Sequence, residues 1–452
     1  MSSTSSGRGE SPPRSRKSIS GLERWYTAAR RDSLVDNLIA GLDIGTTNAR
    51  AVVGEYNENG VLEIIGVGVA PSTGLRRGVV VNIESTLASV AAAVEAVELM
   101  SGREVKDVYC GAAGASVEGI NSRGVVAVTG RGREITREDV DRVIEAARAV
   151  VIPMDREVLH VIPQSFIVDD QKGIRNPLDM IGVRLEAEVH IITGAVTTAQ
   201  NLVKCVNRAG FKVNKLMLQS LAAARAVLSS DEKELGCLLV DLGGGTTDVL
   251  VYADGAPYFS SVIAVGGLQV TNDLSILLSV PMDAAERLKR ESASAWLESV
   301  EADETVIVPG VGGRAPAEAP RRRLCSIVQP RMEEIFGMVR ERVEKMGHWK
   351  HIKGGVVLTG GGALMQGVAE LAQEMFQMPV RIGNPITLGG LVEEYRSPLY
   401  ATAVGLVLMG AEDSHPAEAR GQRPPDWQSK GKSSEGNGAL ARLAEWIRKG
   451  FF

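Results

Sequence analysis

The sequence predicts an α/β protein of two related lobes, with a smaller α+β unit set into the first. Three observations carry that expectation. An aspartate ending an apolar run is followed by a glycine turn twice, in "LDIGTTNARAVVGEY" (42–56) and "VDLGGGTTDVLVY" (240–252). A third apolar run, "GGVVLTGGGALMQGVAELAQEMF" (354–376), passes through three glycines into a helical pattern. Strand-like and helix-like segments alternate between these landmarks, as α/β proteins require.

Residues 1–35 are rich in Ser, Arg, Gly and Pro and are expected to be disordered. The first Asp-Gly copy comes next and ends in "GEYNENG", where Asn-Gly signals a hairpin. The segment "ESTLASVAAAVEAVELMSG" (84–102) has helical periodicity and a terminal glycine. A second helix, "TREDVDRVIEAARAV" (136–150), opens with Thr136 and Asp139 in capping-box spacing. With the strands "DVYCGAA", "GVVAVTG" and "EVLHVIPQSFIV", both helices fall in residues 81–168, read as an inserted subdomain. The helix "TTAQNLVKCVNRAG" (197–210) follows, and the second Asp-Gly copy closes on the hairpin signal "YADGAPY". On this division the first lobe takes residues 36–80, 169–225 and 386–410. The second takes 226–267 and 341–385, with 268–340 as its outer subdomain. Residues 411–438 read as a flexible linker and 439–452 as a terminal helix.

Apolar residues make up 44% of the chain and charged residues 23%, ordinary values for a globular protein. A net charge of −5 gives no reason to expect nucleic acid. Cys110, Cys205, Cys237 and Cys325 are far apart and read as buried thiols of a reducing compartment. The N-terminal stretch has basic residues but no apolar core of the kind a secretory signal needs, so the body is expected in the cytoplasm.

Successive glycines let backbone N–H groups converge into an anion nest, and phosphate is the usual occupant. Thr46, Thr47, Thr246 and Thr247 add hydroxyls beside the two turns. Asp43 and Asp241 cannot bind phosphate directly; an acid beside a phosphate nest makes sense with Mg²⁺ between, held through water. A lone Gly-Gly-Gly is more often a plain tight turn, but two Asp-centred copies and a third glycine turn favour a phosphate-and-magnesium clamp. No G-x-G-x-x-G opens a helix after the first strand, and "GKSS" (431–434) lacks the first glycine of a Walker loop.

The three glycine motifs, in this order, resemble the two phosphate motifs and the adenosine motif of the actin, Hsp70 and sugar-kinase superfamily. "GIRNPLDMIGVRLEAEVHIITG" (173–194), "GFKVNKLMLQSLAAARAVL" (210–228) and "VPGVGGRAP" (308–316) narrow the likeness to the FtsA family of bacterial cell-division proteins. The resemblance implies an actin-like two-lobe fold with ATP and Mg²⁺ in the cleft. It assigns Asp43, Gly45, Thr46, Thr47 and Asn48 to the first phosphate loop. Asp241, Gly243, Gly244, Gly245, Thr246 and Thr247 fall in the second. Gly266 and Gly267, in "VGGLQVTNDL", match another turn near the phosphates, and Gly360, Gly361 and Gly362 lie against the nucleoside. "AERLKR" (285–290) is similar to a helix that touches base and ribose, nominating Glu286, Lys289 and Arg290; a solvated charged face explains those three equally well. Hydrolysis needs a group that orients water. Gln219 lies in the right region without matching a family position, so ATP binding is expected and turnover is expected to be weak or absent.

The stretch "ALARLAEWIRKGFF" (439–452) places Leu440, Leu443, Ile447 and Phe451 on one side of a helix, joined by Ala444. Trp446 and Phe452 flank that side, while Arg442, Arg448 and Lys449 can face anionic headgroups, the make-up of an in-plane membrane helix. A helix docking back on the body is the alternative, and the long polar linker argues against it. The resemblance further implies self-assembly into filaments at the inner face of the cell membrane. It implies capture of the FtsZ C-terminal peptide, with Arg331 as candidate contact, and other division proteins docking on the 81–168 subdomain. Met332, Ile335 and Phe336 near Arg331 read equally as core. His348 and His351 have no acidic cluster nearby in sequence and read as surface residues.

Overall fold

The computed structural model describes residues 38–414, apart from residues 130, 311, 313, 314, 346, 348, 391 and 392. The expected N-terminal arm, the linker beyond residue 414 and the expected helix over 439–452 lie outside the described residues.

The first Asp-Gly segment forms an antiparallel hairpin. Strand β1 (Leu38–Ile44) pairs with β2 (Asn48–Tyr56), and β2 pairs with β3 (Leu62–Pro71). A two-residue ladder, β4 (Leu75–Arg76) with β5 (Val79–Val80), leads into helix α1 (Ile83–Ser101). The Asn82 side chain caps α1 by accepting from the Ser85 N–H, satisfying a donor that the first helical turn leaves open. The α1 residues Val90, Ala93, Val94 and Val97 are buried in the core of the first sheet. Strand β6 (Asp107–Ala112) then runs parallel to β1 in that sheet.

The chain here departs from the expected insert of residues 81–168. Both α1 and β6 belong to the first lobe, because β6 takes its hydrogen bonds from β1 and β11 (Lys212–Leu218) and not from the strands of the insert. The inserted unit starts later and ends later. It comprises β7 (Glu118–Ala127), α2 (Arg137–Arg148), β8 (Arg156–Val168), β9 (Gln171–Ile174) and β10 (Arg184–Ala195). Strand β10, assigned by sequence to the first lobe, is the middle of the insert's sheet, between β7 and β8. Thr136 and Asp139 form the anticipated capping box at the start of α2. Helix α3 (Val196–Arg208) returns the chain to the first sheet, where β11 (Lys212–Leu218) pairs parallel to β6 and runs into α4 (Gln219–Val227).

After a short helix α5 (Ser230–Leu235), the second Asp-Gly segment forms the same hairpin: β12 (Leu238–Leu242), β13 (Thr247–Ala253) and β14 (Ala256–Ile263). The outer part of this lobe holds α6 (Gly267–Leu278), α7 (Met282–Glu291), the ladder β15 (Thr305–Val308) with β16 (Ala317–Pro320), and α8 (Arg321–Lys345). Strand β17 (Val356–Thr359) then pairs parallel to β12, α9 (Val368–Phe376) follows, and β18 (Val380–Ile382) completes the sheet. Helix α10 (Ala401–Ser414) runs past the boundary expected at residue 411. The second-lobe sheet has the order β18-β17-β12-β13-β14, and it continues into β7-β10-β8-β9 of the insert through the Ser261–Glu118 pair. The insert therefore leaves the chain of one lobe and bonds to the sheet of the other.

Each part has its own core: Val90, Val94 and Val97 in the first lobe, Leu185, Val189 and Ile191 in the insert, and Phe336 and Phe376 in the second lobe. The last two rings meet edge-on at 5.4 Å between centroids. Among the described residues, no helix is long and apolar enough to cross a membrane.

Candidate functional site

The two Asp-Gly hairpins turn in the same way. The Gly45 N–H donates to the Asn48 carbonyl at 3.0 Å, and the Gly243 N–H donates to the Thr246 carbonyl at 2.9 Å. Register then fixes what stands across from each acid: Arg50 opposite Asp43, and Asp248 opposite Asp241. The turns face one another. A Cβ on Gly244 would lie 2.5 Å from Thr47 Cγ2, and one on Gly245 would lie 2.5 Å from Thr46 Oγ1. Any side chain there would push the turns apart, a reason for glycine that phosphate binding alone does not supply.

Both turns open on one cavity of about 500 Å³ between the lobes. All the residues nominated for nucleotide contact line it except Thr247. Thr247 is fully buried and its hydroxyl donates to the Val265 carbonyl at 2.9 Å, so it holds the next turn in place and offers nothing to the cavity. Glu286, Lys289 and Arg290 line the cavity. Ala284, Ala285 and Leu288 fill the opposite side of α7 and turn the charged side inward. Lys289 Nζ reaches Glu286 Oε2 at 2.7 Å and Thr271 Oγ1 at 2.9 Å. Burial lowers the Lys289 pKa, and Glu286 opposes that shift.

The N-terminus of α6 orients the second turn. The Gly267 and Leu268 N–H groups donate to the Gly243 and Gly244 carbonyls at 2.9 and 2.8 Å. Because a trans peptide points its C=O and N–H in opposite directions, the Gly244 and Gly245 N–H groups point away from α6. Gly360 meets the same site from β17: it sits at φ +80°, and a Cβ there would lie 2.1 Å from Asp241 Oδ1.

Three carboxyls share the floor, those of Asp43 and Asp248 buried and that of Asp241 partly exposed. Burial, opposed by Arg50, raises Asp43 to about 6. Burial and then the Asp43 charge raise Asp241 to about 6, while the Thr402 hydroxyl, donating at 3.1 Å, pulls it down. Burial and then the Asp241 charge raise Asp248 to about 8. Thr246 Oγ1 donates to Asp248 Oδ2 at 3.2 Å, and among the described residues Asp248 Oδ1 is buried with no hydrogen-bond partner. Such a set is short of positive charge. Among the described residues, no three acidic, His or Cys side chains converge to hold a metal directly. A cation held through water fits both facts, and Mg²⁺ characteristically keeps such water.

Arg50, Asp248 and Thr402 line the cleft without being singled out by sequence, and Gln219, singled out by its region alone, joins them. The first two were within reach, since a four-residue turn at 45–48 or 243–246 dictates the cross-strand partner of each acid. Gln219 donates Nε2–H to Asp43 Oδ1 at 2.8 Å. Neither it nor Thr402 is near its aspartate in sequence, so no local pattern could pair them. Met332 and Ile335 are both core and cleft wall, while Phe336 is core alone. Arg331 lies in ion pairs with Asp273, at 2.6 Å, and with Glu334. His351 packs its ring on Tyr258 at 4.9 Å, and His348 lies outside the described residues.

The family model described as "Cell division protein FtsA" matches residues 238–405, and that of the "SHS2 domain inserted in FTSA" matches residues 114–193. The second span agrees with the insert seen in the fold and not with the one expected from sequence. Cell division protein FtsA of Borreliella burgdorferi is 50% identical over 82% of this chain and 90% of its own length. That of Pseudomonas aeruginosa is 43% identical over 92% and 98%, and that of Escherichia coli K12 is 38% identical over 92% and 98%. The chain belongs to the FtsA family of cell division proteins. Among solved structures, the PilM-PilN type IV pilus biogenesis complex is similar with a TM-score of 0.59 at 18% identity, over 83% of this chain and 98% of that one. This likeness concerns the fold, which is actin-like in two lobes with the FtsA insert.

Proposed function

We propose that this FtsA-family chain binds Mg·ATP in the cleft, assembles into filaments on the inner face of the cell membrane, and tethers FtsZ filaments there. The observation that carries the nucleotide part is the meeting of both Asp-Gly turns on a single cavity, whose volume suits a small-molecule ligand. The Gly244 and Gly245 N–H groups and the Arg50 guanidinium are the donors for phosphate oxygens. Asp43 and Asp241 would hold Mg²⁺ through water, and the ion would offset the charge of the carboxyls and the phosphates. Glu286, Lys289 and Arg290 would meet the base and ribose, with Gly360, Gly361 and Gly362 along the nucleoside. Gln219 has its amide committed to Asp43, which accords with weak or absent turnover.

The membrane part rests on the composition of residues 439–452. One such helix binds reversibly, and many held in one filament bind far more strongly through effective concentration. The FtsZ peptide would dock on the outer second lobe, where Arg331 would exchange Asp273 for an acid of the peptide. Other division proteins would dock on the insert. A pilus-type scaffold, or an actin-fold chaperone or kinase, is the alternative; relatives at 38–50% identity that are division proteins favour the first reading. Pull-down of the full chain with the FtsZ C-terminal peptide, with and without ATP, tests it. Capture supports the tether, and no capture in either condition removes it. Co-sedimentation with anionic liposomes, full chain against a chain ending at Gly438, tests the tail in the same way.

A further inference from the structure

Among the described residues, strand β11 is an edge of the first sheet, paired with β6 on one side. Its last residue, Leu218, is fully buried, and the chain turns there directly into α4 with no side chain capping the helix. The Leu218 N–H is met from outside the lobe: His160 Nε2, on β8 of the insert, accepts it at 2.9 Å. The very next side chain is Gln219, buried and bonded to Asp43 at 2.8 Å. A continuous path therefore runs from the insert through one peptide to the acid of the first turn. Burial, and then the charge of Lys215, hold the His160 pKa down at about 4. The ring is neutral at physiological pH, so Nε2 keeps its lone pair for the Leu218 N–H and the proton resides on Nδ1.

The insert is anchored at its other side to the second lobe. Besides the Ser261–Glu118 pair, Asn121 Nδ2 donates to the Tyr258 carbonyl at 3.1 Å and Gln164 Nε2 donates to the Pro257 carbonyl at 2.9 Å. A shift of the second lobe, or a partner pulling on the insert, thus acts on β8. We infer that His160 is a positioning residue: by holding the Leu218 amide it sets Gln219 against Asp43, so the placement of the insert is read out in the cleft. Coupling of this kind is reciprocal, and occupation of the cleft must alter the insert by the same free energy.

Hydrogen exchange on the full chain without nucleotide tests the inference independently of the ATP reading. His160→Leu removes the acceptor, whereas His160→Gln places an amide oxygen near the position of Nε2. His160→Leu is expected to speed exchange at Leu218 about tenfold and in the 43–48 turn about threefold, with His160→Gln near wild type. In a Gln219→Ala background, His160→Leu should add nothing further at 43–48, because the path is already cut. A purely structural role would leave the two effects additive. Unchanged exchange at 43–48 in His160→Leu, or full additivity with Gln219→Ala, overturns the inference. Should His160→Leu fail to fold, His160→Asn, too short to reach the amide, replaces it with the same expectations. Titration with a fluorescent ATP analogue adds a second readout that rests on the ATP reading: a several-fold weaker Kd in His160→Leu, restored in His160→Gln. If no variant, wild type included, binds the analogue, the ATP reading fails while the exchange result still stands or falls by itself.

Discussion

Asp248→Asn should make the nucleotide-free protein more stable, and increasingly so as pH rises. The unfolded carboxyl titrates at 3.8, whereas the folded one is raised to about 8 by burial and by Asp241. For an acid, a raised folded pKa means that the folded state holds more protons than the unfolded state. Stability therefore falls as pH rises from about 4 to about 8. At pH 7 the upper bound is about 3 units, or roughly 4 kcal/mol at about 1.4 kcal/mol per unit. Asp241 and Asp43 share the mutual repulsion and take up protons near 6, so the expected gain is about 2 kcal/mol at pH 7 and under about 1 kcal/mol at pH 5. An amide at this position still accepts from Thr246 and carries no charge. Urea unfolding at pH 5 and pH 7 in a chelator, without nucleotide, measures the difference. Adding Mg²⁺ should shrink the gain, since the ion supplies wild type with the positive charge that its carboxyls lack. A gain that is equal at both pH values, or a loss at pH 7, would refute the reasoning.

Three further outcomes are expected. Asp241→Ala should weaken Mg·ATP binding by about tenfold or more while leaving the circular dichroism spectrum intact, and an unchanged titration would count against the clamp. Gly360→Ala should cost about 2–4 kcal/mol in denaturant unfolding, because φ is +80° and the new Cβ would strike the Asp241 carboxylate. A cost below about 0.5 kcal/mol would mean that the backbone there can yield. Trp446→Glu should abolish sedimentation with anionic liposomes, and a variant that still pellets would remove the tail from the membrane contact.

The hairpins, α1, α2, α3 and the glycine turns were legible because each rests on local signals: alternation, caps, Asn-Gly and Asp-Gly turns. The insert boundary was not. Strand β6 looks like a neighbour of β7 in sequence, yet it pairs with β1 and β11, and nothing in "DVYCGAA" encodes those partners. For the same reason β10, read as first lobe, proved to be the centre of the insert's sheet. At the site, the turns and their acids were visible as motifs. Thr247 sends its hydroxyl to the Val265 carbonyl and does not line the cavity, a difference from Thr246 that the repeated threonines do not encode. Gln219 and Thr402 reach the carboxyls only through the folding of distant segments, which no spacing could disclose.

The most direct measurement is a structure of the full chain with Mg·ATP. The triphosphate should lie between the 45–48 and 243–246 turns, with Mg²⁺ linked by water to Asp43 and Asp241. A nucleotide bound elsewhere, or an ion remote from both aspartates, would contradict the account.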